Sequence, residues 1–135
     1  MNYLLDTCVV SDFARGTEPV LSRLRATPPS AIAVSVVTVM EVRYGLLLRP
    51  ALGRKLAKVV DALFDSVTVL PFERKDADEA ARLRAELKRK GFPVGAYDLL
   101  IGATALGRGL VLVTSNTREF ARCESLVVED WRSGA

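Results

Sequence analysis

The sequence predicts an α/β protein organised on a parallel sheet, and three observations predict it. Five short apolar segments, at residues 2–6, 31–37, 67–70, 110–114 and 126–129, are separated by stretches with helical patterning. That alternation is the element order of strands joined by helical crossovers. The segments are apolar at successive positions rather than alternate ones, as strands covered on both faces must be. The chain has 135 residues, half of them hydrophobic, with no internal repeat, low-complexity tract or linker. That suits a single domain over residues 1–135 with one core.

Each element has its own signals. The first strand ends in Asp6, and Thr7 can open a helix carrying Val9, Val10 and Phe13 until Gly16 breaks it. Pro19 is placed to start a second helix bearing Val20, Leu21 and Leu24, and Thr27-Pro28-Pro29-Ser30 reads as a turn. The β-branched run 31–37 reads as a buried strand, after which Thr38 opens a helix holding Glu41. After Pro50, Leu52, Leu56, Val59, Val60 and Leu63 form one apolar stripe, with Lys55 and Lys58 off it. Pro71 closes the third strand. A helix over 76–90 follows, acidic at its start and basic at Lys88-Arg89-Lys90, with Gly91 as its stop. Pro93 and Gly95 set the start of a mostly apolar helix near Ala96, which carries Asp98 in its first turn; Gly107-Arg108-Gly109 reads as the turn after it. A short helix over 116–122 separates the last two strands.

Composition limits the chemistry. The net charge is +3, from 19 basic and 16 acidic residues, which permits nucleic acid as a partner without requiring it. No histidine is present. That removes the usual general base, the usual zinc ligand and every Ser–His or Cys–His nucleophile pair. Hydrolysis would then rest on carboxylates and a metal-bound water. Cys8 and Cys123 form no CxxC pair and no disulfide framework, in keeping with a reducing cytoplasm. No apolar run approaches the ~20 residues of a membrane span. Met1 to Asp6 lacks the pattern of a signal peptide, so the expected location is cytoplasmic, away from membranes.

The acids fall in a pattern. Asp6 ends the first strand, Glu41 follows the second, Asp98 opens a buried helix and Asn116 follows the fourth strand. All are where strands hand over to helices, the edge at which open α/β sheets bind ligands. Capping is the alternative for each: Asp6 before its helix, Asp98 on its own helix, Thr38-x-x-Glu41 and Asn116-x-x-Glu119 as capping boxes. Capping does not explain why all of them share one edge. Three carboxylates in one cleft raise each other's pKa. A divalent cation relieves that, and hard oxygen donors favour magnesium or manganese over zinc.

Four motifs in order, Leu4-Leu5-Asp6-Thr7, Ser35-x-x-Thr38-x-x-Glu41-Val42-x-x-Gly45, Pro93-x-x-x-x-Asp98-x-x-Ile101-x-Ala103 and Leu112-Val113-Thr114-x-Asn116-x-x-x-Phe120, resemble the PIN-domain family. More narrowly they resemble the VapC-type toxins of type II toxin–antitoxin pairs, with similarity running from Tyr3 to Trp131. The resemblance implies a three-layer α/β/α fold on a mainly parallel five-stranded sheet. It implies a Mg2+-dependent endoribonuclease, with Mn2+ as substitute, cutting tRNA or other structured or single-stranded RNA. It also implies a homodimer neutralised by a small VapB-like antitoxin. Asp6, Glu41 and Asp98 would hold the metal, Asn116 would join them in catalysis, and Thr7, Thr114 and Glu119 would support them. Asn116 stands where the family often has aspartate, and Cys8 where it often has asparagine. Cys8 reads as a small packed residue.

Other readings stay open at this level. A phosphatase would want Asp-x-Asp where Asp6-Thr7-Cys8 stands, and a receiver domain an acceptor acid where Leu70-Pro71-Phe72 stands. Gly102-x-x-x-x-Gly107 has no Gly-Lys-Ser/Thr after it to make a phosphate loop. A non-catalytic PIN-like module, binding RNA or protein or acting as co-repressor with a DNA-binding antitoxin, is the rival from another class. The basic residues of the 76–90 helix fit a solvated face better than an RNA grip. Tyr44 and Leu46-Leu47-Leu48 are more apolar than a surface turn needs, and suit either the core or a partner.

Overall fold

The computed structural model describes residues 1–133. Strand β1 (Tyr3–Leu5) leads into helices α1 (Thr7–Ala14) and α2 (Val20–Arg25). A 3-10 turn at Pro29–Ala31 precedes β2 (Ile32–Ser35), α3 (Val36–Leu48) and α4 (Pro50–Ser66). Then come β3 (Thr68–Leu70), α5 (Arg74–Lys90), α6 (Ala96–Arg108), β4 (Val111–Val113), the short helix α7 (Thr117–Phe120) and β5 (Val128–Glu129). The strands form one sheet in the order β3-β2-β1-β4-β5. Every neighbouring pair is parallel, so the sheet is wholly rather than mainly parallel.

Successive strand residues face opposite layers, which is why the strands read as unbroken apolar runs. Leu4 lies between Ala33 and Leu112 in register. All three pack against Leu83 and Leu87 of α5 and Ile101 and Ala105 of α6. Leu5, Val34 and Val113 point the other way, onto Val9 and Val10 of α1, Val20 of α2 and Val60 of α4. The result is a three-layer α/β/α fold. Full burial of one such leucine is worth about 1.5–3 kcal/mol. Trp131, just past β5, is buried in the second layer with its ring edge-on to Tyr3, centroids 5.3 Å apart.

Several boundaries differ from the sequence expectation for local reasons. The helix expected to open at Thr38 begins at Val36, because the Ser35 hydroxyl accepts the Val37 N–H at 3.0 Å and caps it earlier. Thr38 is therefore inside the helix, buried, and its hydroxyl has no hydrogen-bond partner among the described residues. The Thr38–Glu41 capping box does not form. The fifth helix starts two residues early: Glu73 is its N-cap, in a reciprocal capping box with Asp76. Gly107 and Arg108 belong to α6 rather than to a turn. Arg108 reaches the Pro71 carbonyl at 3.2 Å and Asp76 at 2.8 Å, and only Gly109, at φ 65°, ends the helix. Val59 is 39% exposed, since the buried line of α4 runs through Gly53, Leu56, Val60, Leu63 and Phe64. The edge strand β3 leaves Thr68 and Val69 open to solvent, so not every strand is covered on both faces.

The chain adds β2 and β3 on one side of β1, then β4 and β5 on the other. The direction of winding therefore reverses between β1 and β4. A crevice opens at such a point beyond the carboxyl ends of the strands.

Candidate active site

The cleft at that crevice is lined by Asp6, Thr7, Cys8, Glu41, Asp98, Ser115 and Asn116, with a volume of about 430 Å³. Three acids spaced widely along the chain thus share one cleft. Asp6 is 3% exposed. Its Oδ1 accepts the Thr7 N–H at 2.7 Å, and its Oδ2 accepts the Thr114 hydroxyl at 2.6 Å. The first of these bonds also caps α1, so the capping role proposed for Asp6 is real. The Thr7 hydroxyl donates to Glu41 Oε1 at 2.7 Å, tying the second acid to the end of β1. The Thr114 oxygen in turn accepts the Asn116 N–H at 3.0 Å.

Asp98 does not cap its helix: Gly95 is the N-cap and no side chain caps it. The Asp98 and Glu119 carboxyls both lie against Gly95, where an added Cβ would meet them at 3.5 and 3.6 Å. Adjoining carboxyls meet favourably only while one of them holds a proton. Burial, the Glu119 hydrogen bond and the charges of Asp6, Glu119 and Glu41 push the Asp98 carboxyl up to about 7. Burial acts on Glu119 in the same upward sense, but bonds from the Gly95 N–H, Asp98 and Asn116 outweigh it and hold Glu119 below the usual range. The Gly95 bond is 2.7 Å; the Asn116 side-chain amide donates to the other Glu119 oxygen. The expected Asn116–Glu119 capping box is thus replaced by a bridge. Glu119 turns across to Gly95 and Asp98, because α7, a helix of 4 residues, offers little of its own to cap.

Cys8 packs into the same floor. Its sulfur is 3.6 Å from Asp6 Oδ2, and the Ser115 hydroxyl donates to it at 3.3 Å. Burial, with the Asp6 charge next, raises its thiol pKa. Ser115 lines the cleft and was not foreseen; its one sequence signal is its place between Thr114 and Asn116 at a strand end.

Among the described residues no three acids converge on a single point as a ready-made cation cage. Asp6 and Glu41 are turned toward protein donors, and Asp98 toward Glu119. The donor chemistry nevertheless fits a hard divalent ion. Asp6 Oδ1 accepts only the Thr7 N–H, and a carboxylate oxygen can accept two bonds; Oδ2 is shared between the Thr114 hydroxyl and the weak Cys8 thiol donor. Asp98 is raised partly by the charges of Asp6 and Glu41, the mutual repulsion that a cation removes.

Away from the cleft, Tyr44, Leu47 and Leu48 are 60%, 78% and 62% exposed, while Leu46 packs on the core. Beside them is an apolar groove to which Glu41, Leu46 and Leu48 all contribute. On α5, Arg82 pairs with Glu79 and Lys90 with Glu86, as a solvated helix face does. No helix among the described residues is long and apolar enough to cross a membrane.

The fold and the cleft define a class, and comparison with known proteins agrees: the PIN domain model matches residues 3–125, and the chain belongs to that family. Within it, the chain is 43% identical over 102 residues to the tRNA(fMet)-specific endonuclease VapC of Salmonella typhimurium, covering 76% of each protein. It is 34% identical to Ribonuclease VapC2 of Haemophilus influenzae, over 97% of this chain and 98% of that one. Among solved structures, DNA-bound VapBC from Salmonella typhimurium superposes with a TM-score of 0.86 at 38% identity, covering 97% of this chain and 98% of that one. VapBC2 from Rickettsia felis, bound to a promoter DNA fragment, gives 0.87 at 28% identity, with 97% and 99% covered.

Proposed function

We propose that this chain is a Mg2+-dependent endoribonuclease, the toxin of a toxin–antitoxin pair, neutralised by a small VapB-like antitoxin. The observation that carries the reading is the meeting of Asp6, Glu41 and Asp98 in one cleft at the carboxyl edge of the sheet. The names of the relatives, ribonucleases and a tRNA endonuclease, support RNA as substrate and tRNA as the first to test.

Asp6, Glu41 and Asp98 would hold the ion, with Mn2+ as substitute. When bound, it supplies an activated water and neutralises charge on the phosphate. The chain's own residues prepare for this. The Thr7 and Thr114 bonds fix Asp6 in one orientation, and the Thr7 hydroxyl fixes Glu41. Crowding among these acids shows at Asp98, whose carboxyl is pushed up by burial, Glu119 and the neighbouring charges, and a bound cation would relieve it. Asn116, anchored to Glu119, presents an uncharged amide to a water or a phosphate oxygen.

With no histidine to help the RNA 2′-hydroxyl attack, the products carry a 5′-phosphate and a 3′-hydroxyl. The test is end-group analysis of RNA cut by the purified protein in magnesium, with Asp98→Asn as control. Cyclic 2′,3′-phosphate ends, or undiminished cleavage by the variant, refute this mechanism. For the partners we propose a cytoplasmic homodimer whose groove beside Leu46 and Leu48 takes an amphipathic antitoxin segment. Its contact with Glu41 would bring that segment to the cleft. The neighbouring VapBC complexes on DNA favour a second role for the toxin–antitoxin complex, binding its own promoter.

A further inference from the structure

We infer that Arg132 grips a backbone phosphate of the RNA next to the one that is cut, an assignment that rests on the ribonuclease reading above. Topology puts Arg132 near the cleft. All strands are parallel, so the segment after β5 leaves the sheet at the same edge as Asp6 and Asn116. The Thr114 N–H bonds the Glu129 carbonyl at 3.0 Å, joining that segment to the cleft floor three residues before Arg132.

The guanidinium is then held in a fixed place. Its Nε and Nη2 donate to Asp12 Oδ2 and Oδ1 at 2.6 and 2.9 Å. Asp12 lies on α1 four residues beyond Cys8, on the same helix face and about one turn (~5.4 Å) from the cleft wall. Trp131, buried at 1% exposure, anchors the backbone beside Arg132.

The pair is lopsided in a way that suits a ligand. The Asp12 side chain is 10% exposed and that of Arg132 50%. Nη1 faces no protein acceptor among the described residues, although Arg carries five donors. A buried acid that holds one edge of an arginine leaves the other edge aimed outward, the geometry that takes a phosphate oxygen. The cleft needs such a group. It has three acids and no basic residue in its lining, and would repel an RNA strand without a cation at its rim.

The test separates phosphate binding from a structural tie. In an Asp98→Asn background, binding of a fluorescein-labelled mixed-sequence 12-nucleotide single-stranded RNA is titrated at several KCl concentrations in magnesium buffer. Three further variants are compared: Arg132→Gln, Asp12→Asn, and the two combined, which leaves no unpaired buried charge to unfold the protein. Losing one phosphate contact on a single strand makes the slope of log Kd against log salt shallower by roughly 0.7. That is expected for both variants lacking Arg132. Asp12→Asn alone should melt lower yet keep the slope, because the guanidinium remains. An unchanged slope without Arg132, or an equal loss in Asp12→Asn, overturns the assignment. If wild type still cleaves RNA in that case, the ribonuclease reading stands; a protein that neither binds nor cleaves RNA overturns both.

Discussion

Asp98 is the carboxyl that the fold perturbs most, and Asp98→Asn makes the perturbation measurable. In the metal-free protein, burial, the Glu119 bond and the neighbouring charges hold it at about 7 against an ordinary value of 3.8. Taken at face value the gap corresponds to about 4 kcal/mol. Asp98 is only half-buried, so solvent screening reduces this to about 1–2 kcal/mol. The sign follows from proton counting. Above about pH 4 the unfolded chain releases the Asp98 proton while the native state keeps it. Stability from this group is therefore greatest below pH 4 and is lost as pH rises to about 7. Asparagine cannot ionise and escapes that loss. In chelator, the melting temperature of Asp98→Asn minus that of wild type should widen by about 3–8 °C between pH 4 and pH 8. The assay is a set of thermal melts of both proteins across that range. Parallel curves would show that Asp98 titrates normally, and the case for a crowded acidic cleft would fail. Excess magnesium should reverse the trend for wild type alone, because a bound cation favours the ionised carboxyl.

Two other outcomes are expected. Magnesium or manganese at about 100 times its dissociation constant should stabilise wild type by about 2.7 kcal/mol, and an Asp6→Asn, Asp98→Asn double variant by much less; equal thermal shifts would argue against the metal site. Arg108→Met should destabilise the protein by about 3–5 kcal/mol in denaturant titrations, because it leaves Asp76, fully buried, without its cation at 2.8 Å; pairing it with Asp76→Leu should recover most of the loss, and a full-strength defect in the double variant would contradict the ion-pair account.

The alternation of strands and helices was legible because it depends on local pattern: a run such as residues 32–34 is apolar on both faces, and Gly91 in the left-handed region ends α5 as expected. The acids were legible for a related reason, since a residue at the end of a parallel strand has one edge on which to lie. Partner choice was not legible. Ser35 and Thr38 are both credible caps three residues apart, and only the depth of β2 beneath α3 decides that the first caps while the second is buried. Glu119 looked like a local cap for Asn116 but bonds Gly95, 24 residues away. The pairs Asp76–Arg108 and Asp12–Arg132 are separated by 32 and 120 residues. No periodicity encodes such distances; they exist only once α5 lies on α6 and the segment after β5 lies on α1.

Asp6 shows why capping and catalysis need not compete as explanations of one residue. A helix that follows a parallel strand begins at the carboxyl edge, so its N-cap and the ligand crevice occupy the same place. Capping needs one oxygen in a fixed orientation, and a metal site needs the same fixed orientation with lone pairs left over. Asp6 Oδ1 serves the Thr7 N–H and retains a lone pair toward the cleft, while Oδ2 takes the Thr114 hydroxyl and, more weakly, the Cys8 thiol. Glu41 and Asp98 reach the same cleft without capping anything. Capping therefore accounts for one acid of the three, and the meeting of all three at one edge is left for the ligand to explain.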